Sequence, residues 1–203
     1  MLTSNPHETE ELDLLELRLK TTALNAEYAI KQMNENLEVV PDPEDMKLAH
    51  EALEAAKVAM GNHVKDEGTP MALVGFIPTR KLTYLRHRYG ILHREEFDLA
   101  TATLEEREEF DEIARLYLRW GIKGHSNLGV DFEHEEEMCG PRKVRVASWE
   151  MVDVYEGLGL LYLMYSRVRE YNTLAEVKKK ESLLNAGIIP ASSTATSADK
   201  SQS

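Results

Sequence analysis

Between His7 and Leu37 the apolar residues Leu12, Leu19, Ala26 and Met33 recur at every seventh position, while their companions drift from Leu15 to Ala23, Ile30 and Leu37. That drift marks a period of 3.6. The stretch therefore predicts a straight amphipathic helix and not a strict heptad seam, roughly 45 Å long at about 1.5 Å per residue. Pro41, Asp42 and Pro43 stop this helix and start another, with Asp42 as N-cap and Pro43 in the first helical position. Met46, Ala49, Leu53, Ala56 and Met60 share one side of the second helix, which runs to about Gly61. Two amphipathic helices joined by so short a turn predict an antiparallel hairpin. Its Ala- and Met-rich stripes either pack on each other and on the rest of the chain, or leave a groove for a partner's helix.

Beyond the hairpin the elements are shorter. "MALVGFI" (71–77) is uniformly apolar between Gly68-Thr69-Pro70 and Pro78, and predicts a buried strand. Thr79 is the expected cap of a helix through the basic segment that follows, with Gly90 its weak point. Thr103 and Glu106 have capping-box spacing, and the helix they open buries Phe110, Ile113, Ala114, Tyr117 and Leu118. It ends near Trp120, where Gly121 or Gly124 is expected to supply the left-handed residue. "VDF" (130–132) and "KVRVA" (143–147) alternate about a Gly140-Pro141 turn and predict a small β-hairpin.

Ser148 then caps a long helix that includes the apolar "GLGLLYLMY", and a second capping box at Thr173 and Glu176 opens a last short helix stopping at Gly187. The expected core includes Phe110, Ile113, Leu116, Tyr117, Trp149, Val152, Leu160, Leu161 and Met164. The fold class that follows is mainly α: a helical bundle with an N-terminal antiparallel hairpin and a small β-hairpin. Residues 1–68 form the hairpin and 69–189 the main domain. Residues 190–203 have nothing to bury and read as a disordered tail.

Charge narrows the function classes. The chain of 203 residues has a formal net charge of −12, yet residues 71–94 carry five bases and no acid. An acidic chain is a poor generic nucleic-acid binder. The basic island of Arg80, Lys81, Arg86, Arg88 and Arg94, with His87 and His93 and the interleaved Tyr84 and Tyr89, is the exception. Ion pairing with the neighbouring acidic helix explains it most simply, ahead of protein docking and of base stacking. The single Cys139 excludes an intramolecular disulfide. The chain carries no signal-like start and no run of the roughly 20 apolar residues that span a bilayer, so it reads as soluble and cytoplasmic.

No catalytic constellation stands out. His125, His134 and Cys139 have no zinc-like spacing, and a Cys139–His125 nucleophile would lack an orienting group and an oxyanion hole. The run His134 with Glu133, Glu135, Glu136 and Glu137 reads as a solvated acidic turn. No metal and no cofactor is expected. Trp120 can face inward as a lid on the core or outward beside His125 and Lys123, and the cost of leaving a tryptophan exposed favours the inward position.

Over residues 104–186 the order of features resembles bacteriophage tail assembly chaperones and related small phage tail proteins. The carrying residues are "ARLYLRWGIKGHSNL", "CGPRKVRV", "SWEMVDVY" and "LAEVKKKESLLN". Arg119, Trp120, Gly121, Ile122, Lys123, Gly124 and Leu128 match the family's pattern, with His125 where relatives carry a second aromatic. The resemblance implies a non-enzymatic assembly factor of the host bacterial cytoplasm or the virion, binding other tail proteins such as the tape-measure protein. Its docking residues would be Trp120, Lys123, His125, Arg80, Arg86 and Arg88, and self-association remains open. Two alternatives stand beside it: a virion component at the head–tail joint or tail tip, and a small metal-dependent hydrolase or nuclease using His125, His134 and Asp131.

Overall fold

The computed structural model describes residues 9–35, 42–90 and 102–185. Within them the fold is mainly helical. A first strand, β1 (Thr9–Asp13), leads into α1 (Leu14–Glu35) and α2 (Pro43–Asn62), then β2 (Met71–Gly75) and α3 (Thr79–Tyr89). After α4 (Leu104–Gly121) come β3 (Ile122–Ser126), β4 (His134–Cys139), β5 (Arg142–Ala147), α5 (Trp149–Gly157) and α6 (Leu161–Asn185). The expected tail from residue 190, together with His93 and Arg94 of the basic island, lies outside the described residues.

Three helix starts that rest on local hydrogen bonding, those of α2, α4 and α5, are where the sequence puts them. Asp42 accepts from Glu44 N at 2.9 Å ahead of Pro43, and Thr103 and Glu106 form the reciprocal capping box that opens α4. Ser148 Oγ accepts from Met151 N to start α5. Thr79 does not cap α3: Pro78 holds the N-cap position with no side-chain bond, and α3 stops at Tyr89, where Gly90 turns with φ 39°.

Other expectations are corrected. Residues 9–13 are not helix. They pair antiparallel with β2, Thr9 opposite Gly75 and Asp13 opposite Met71, because the open edge of a buried strand gains a ladder of backbone bonds that outweighs the helical period of a polar stretch. β2 is central, with β3 antiparallel on its other side. Leu73 faces Gly124 and Val74 faces Ile122, so Lys123 is the extra residue of a β-bulge.

The second hairpin joins β4 to β5, Cys139 opposite Arg142, and the acidic run expected to be a solvated turn is its first strand. Gly140, at φ 66°, supplies the positive φ that its two-residue turn requires. The single long helix expected after Ser148 is broken at Leu158–Leu160, where Gly159 has φ 69°. α6 then continues unbroken through Thr173, whose hydroxyl bonds Arg169 O inside the helix and opens no new one.

Two clusters hold the fold together. The main core brings Ile77 and Leu85 against Ile113, Tyr117 and Leu118 of α4, Val152 and Tyr155 of α5, and Met164 and Val168 of α6. α1 joins it through Leu14 and Leu17. Farther out the helical hairpin has a separate small cluster, Ala23 and Ala26 against Leu53 and Ala56, with Ile30 and Met60 at its border. Of the expected core, Leu116 is only partly buried and Trp149 is 39% exposed. Its ring lies under the guanidinium of Arg119 at 4.6 Å, a cation–π contact that keeps one face of the ring at the surface.

Candidate functional site

The stretch from Arg119 to His125 is a helix-to-strand junction. Neither Gly121 nor Gly124 has positive φ, so neither is the expected left-handed stop. Gly121 is needed for a different reason: a Cβ there would overlap Cγ1 of the buried Val168, so α4 meets α6 at a backbone that carries no side chain. Gly124 lies against Leu73 across the sheet.

Trp120 points inward and is buried. Its Nε1 donates to Glu137 Oε2 at 3.2 Å, and Lys81 Nζ sits 4.8 Å from its ring. Glu137 also takes Lys81 as an ion-pair partner and Arg119 Nε at 3.4 Å. Burial pushes the Glu137 carboxyl up, and the bonds from Lys81 and Trp120 outweigh it and hold the group below the ordinary glutamate range. Arg119, itself buried, donates to Ala147 O at 3.0 Å and pairs with Glu135 at 2.5 Å. The acidic strand β4 is therefore fastened to α3 and α4 by three side chains.

Lys123 is half-buried in its bulge, and burial lowers its amine to about 8 while Nζ donates to Trp120 O at 2.5 Å. His125 Nε2 donates to Val130 O at 2.9 Å. Phe132 stands edge-on between His125 and His134, its ring centre 5.1 Å from one and 4.8 Å from the other, so the two imidazoles do not converge. Among the described residues no three His, Cys, Asp or Glu side chains are grouped to hold a metal ion. Arg80 lays its guanidinium over Gly140, Arg86 is exposed on α3, and Arg88 contacts Tyr84 at 3.0 Å and Glu112 of the acidic helix at 3.5 Å. The corner residues thus build a junction between α4, α6 and the two sheets.

A cleft lies at the other end of β2. Its volume is about 460 Å³, and Asp13 and His63 line it as a bonded pair, with Asp13 Oδ2 2.8 Å from His63 Nε2. Both side chains are largely buried, at 8% and 12% exposure. Asp13 ends β1 and caps α1, its Oδ1 accepting from Leu15 N at 3.0 Å and Glu16 N at 2.9 Å. His63 is the C-cap residue of α2, so the free ends of both hairpin helices meet here. Burial is the largest influence on the Asp13 carboxyl and pushes it up; the Glu16 N–H and the bond and charge of His63 outweigh it and leave the group below the ordinary aspartate range.

Between His63 and β2 the chain makes a tight turn. Gly68 N donates to Asp66 Oδ1 at 2.9 Å, and Asn127, after β3, donates to Glu67 O at 2.7 Å and Thr69 O at 3.0 Å. Lys65 and Glu11 line one part of the cleft, Lys20 and Glu16 another, and Met60 and Met71 add apolar surface. An imidazole held by a buried carboxylate beside two ammonium groups can orient, donate or accept a proton next to an anionic substrate. Sequence reading passed over this pair because Asp13 and His63 are fifty residues apart and Asp13 fell inside a predicted helix. The signal present was the spacing of Asp13 and Glu16, which is that of a helix cap.

Because the Asp13 carboxyl sits below its unfolded value, its contribution to stability is full above about pH 5 and is lost as pH falls through the unfolded and then the folded value. Asp13→Asn should therefore flatten the acid limb of stability below about pH 5. At pH 7 asparagine can still cap α1, and the loss of the negative charge at the helix N-terminus and beside His63 should cost about 1 kcal/mol. Urea midpoints from pH 7 to 3 check both; an acid limb with unchanged slope would contradict the assignment.

No protein-family model matches the sequence, and no solved structure matches it. A curated relative does: the nicotinamide/nicotinic acid mononucleotide adenylyltransferase of Schizosaccharomyces pombe is 29% identical over 111 residues. The match takes in 54% of this chain and spans 28% of the relative's length. It overturns the resemblance to phage tail assembly chaperones, and with it the non-enzymatic assembly role, since the similar protein is an enzyme of nucleotide chemistry. The virion-component and metal-dependent hydrolase alternatives gain nothing from it either. Among the described residues no helix is long and apolar enough to cross a membrane.

Proposed function

We propose that the chain handles a nucleotide in the Asp13–His63 cleft and contributes to nucleotidyl transfer there. The observation that carries this reading is the buried Asp13–His63 pair, 2.8 Å apart and facing a cleft that two lysines also line. The partial similarity to an adenylyltransferase supports the choice of reaction class.

In such a transfer an oxygen of the acceptor phosphate forms a bond to the α-phosphorus of the donor as the bond to pyrophosphate breaks, and negative charge moves onto the departing group. His63, fixed through Nε2 by Asp13, has its other ring nitrogen without a hydrogen-bond partner among the described residues, and in the imidazolium form that nitrogen donates to the oxygens where charge gathers. The apolar side chains of Met60 and Met71 offer soft contact surface for a flat base.

The test is pyrophosphate release from ATP and nicotinamide mononucleotide. His63→Ala should lower the rate about a hundredfold if the imidazole supplies general acid or charge stabilisation. Pyrophosphate release by the natural chain that is no faster than in protein-free buffer would sink the proposal, as would a His63→Ala variant of unchanged rate.

A further inference from the structure

We infer that Glu11 and Glu16 are internal competitors for phosphate in the cleft, each holding a lysine until a phosphate group takes its place; the inference rests on the proposed reading of that cleft. Glu11 lies two residues before Asp13 in β1 and so shares its face of the strand, and Glu16 stands in the first turn of α1. Lys65 Nζ lies 3.4 Å from Glu11 Oε2, and Lys20 Nζ 2.5 Å from Glu16 Oε1.

The cleft thus holds its two ammonium groups in ready-made ion pairs, Lys65 with Glu11 and Lys20 with Glu16. All four side chains are about half exposed, between 45% and 64%. Exposed pairs of this kind are worth at most about a fivefold factor in an equilibrium. A phosphate dianion offers more charge and more acceptor oxygens than a carboxylate, so it displaces the glutamates where a simple carboxylate ligand gains nothing by the exchange. The two glutamates would therefore set selectivity for phosphate esters and diphosphates over monoanions.

Calorimetric titration of the full chain with inorganic pyrophosphate reads this directly. The Glu11→Gln/Glu16→Gln double variant should bind pyrophosphate about two- to fivefold tighter, and the gain should shrink at high salt. Lys20→Gln/Lys65→Gln should bind it about tenfold or more weakly. If a double variant does not fold by circular dichroism, the single substitutions give the same ordering. Glutamine variants that bind no tighter, lysine variants that bind as well as the natural chain, or no binding by the natural chain at millimolar pyrophosphate would each overturn the inference. The catalytic reading is judged by a different measurement. Pyrophosphate binding in the expected order without adenylyl transfer removes that reading and keeps this one, and transfer without the gain in the glutamine variants does the reverse.

Discussion

Arg119→Ala is expected to destabilise the folded chain by about 2–3 kcal/mol, because the guanidinium is buried and bonds a backbone carbonyl while its carboxylate partners Glu135 and Glu137 keep part of their solvent exposure. The side chain leaves α4 and is buried against the β4–β5 hairpin, where it pairs with Glu135, bonds Glu137 and donates to Ala147 O. Truncation leaves Glu137 with Lys81 and Trp120, strips Glu135 of its partner, and leaves the Ala147 carbonyl without this donor. It also removes the cation from the face of Trp149. Urea denaturation measures the loss. The discriminating companion is Arg119→Met, which fills the space without the charge: it should recover packing and still fall short of the natural stability, because Glu135 and the Ala147 carbonyl lose this donor. An Arg119→Ala loss below about 1 kcal/mol would mean that β4 is not fastened through this residue.

Gly121→Ala is the second large effect, about 2–3 kcal/mol, because overpacking a close-packed contact forces side chain and backbone to move. The added methyl would occupy the place of Val168 Cγ1 at the crossing of α4 and α6, where Val168 is fully buried. The same substitution at Gly61 or Gly157, where a Cβ would meet nothing within 4 Å, should leave stability unchanged or slightly higher. A paired Gly121→Ala/Val168→Ala variant should regain part of the loss, since the smaller residue on α6 makes room. Thermal unfolding of the three variants separates a steric cause from a backbone one: a loss at Gly121 that Val168→Ala does not relieve would rule out the helix crossing as its source.

Residues close in sequence made the helical part legible. Asp42 with Pro43 and Thr103 with Glu106 act within four residues of themselves, and a pattern read along the chain finds them. The stripe of Phe110, Ile113, Tyr117 and Leu118 follows the helix period and lies in the core. Trp149 was misjudged because its exposure is set by arginines of another helix, which no local pattern reports. The candidate site is the least legible part, since Asp13 and His63 stand fifty residues apart and each taken alone is an ordinary helix-end residue.

The helix starts at Asp42, Thr103 and Ser148 and the apolar faces of α2 and α4 follow from the sequence alone, because a helix satisfies its backbone bonds within its own turn and its buried side repeats every 3.6 residues. Only the tertiary structure decided that residues 9–13 form a strand, that Lys123 occupies a bulge, that Gly121 is there for Val168, and that Asp13 meets His63. Each of these depends on a partner far along the chain. A strand has no bonds to make until its neighbour is in place, and the close approach of two helices is defined only where they cross.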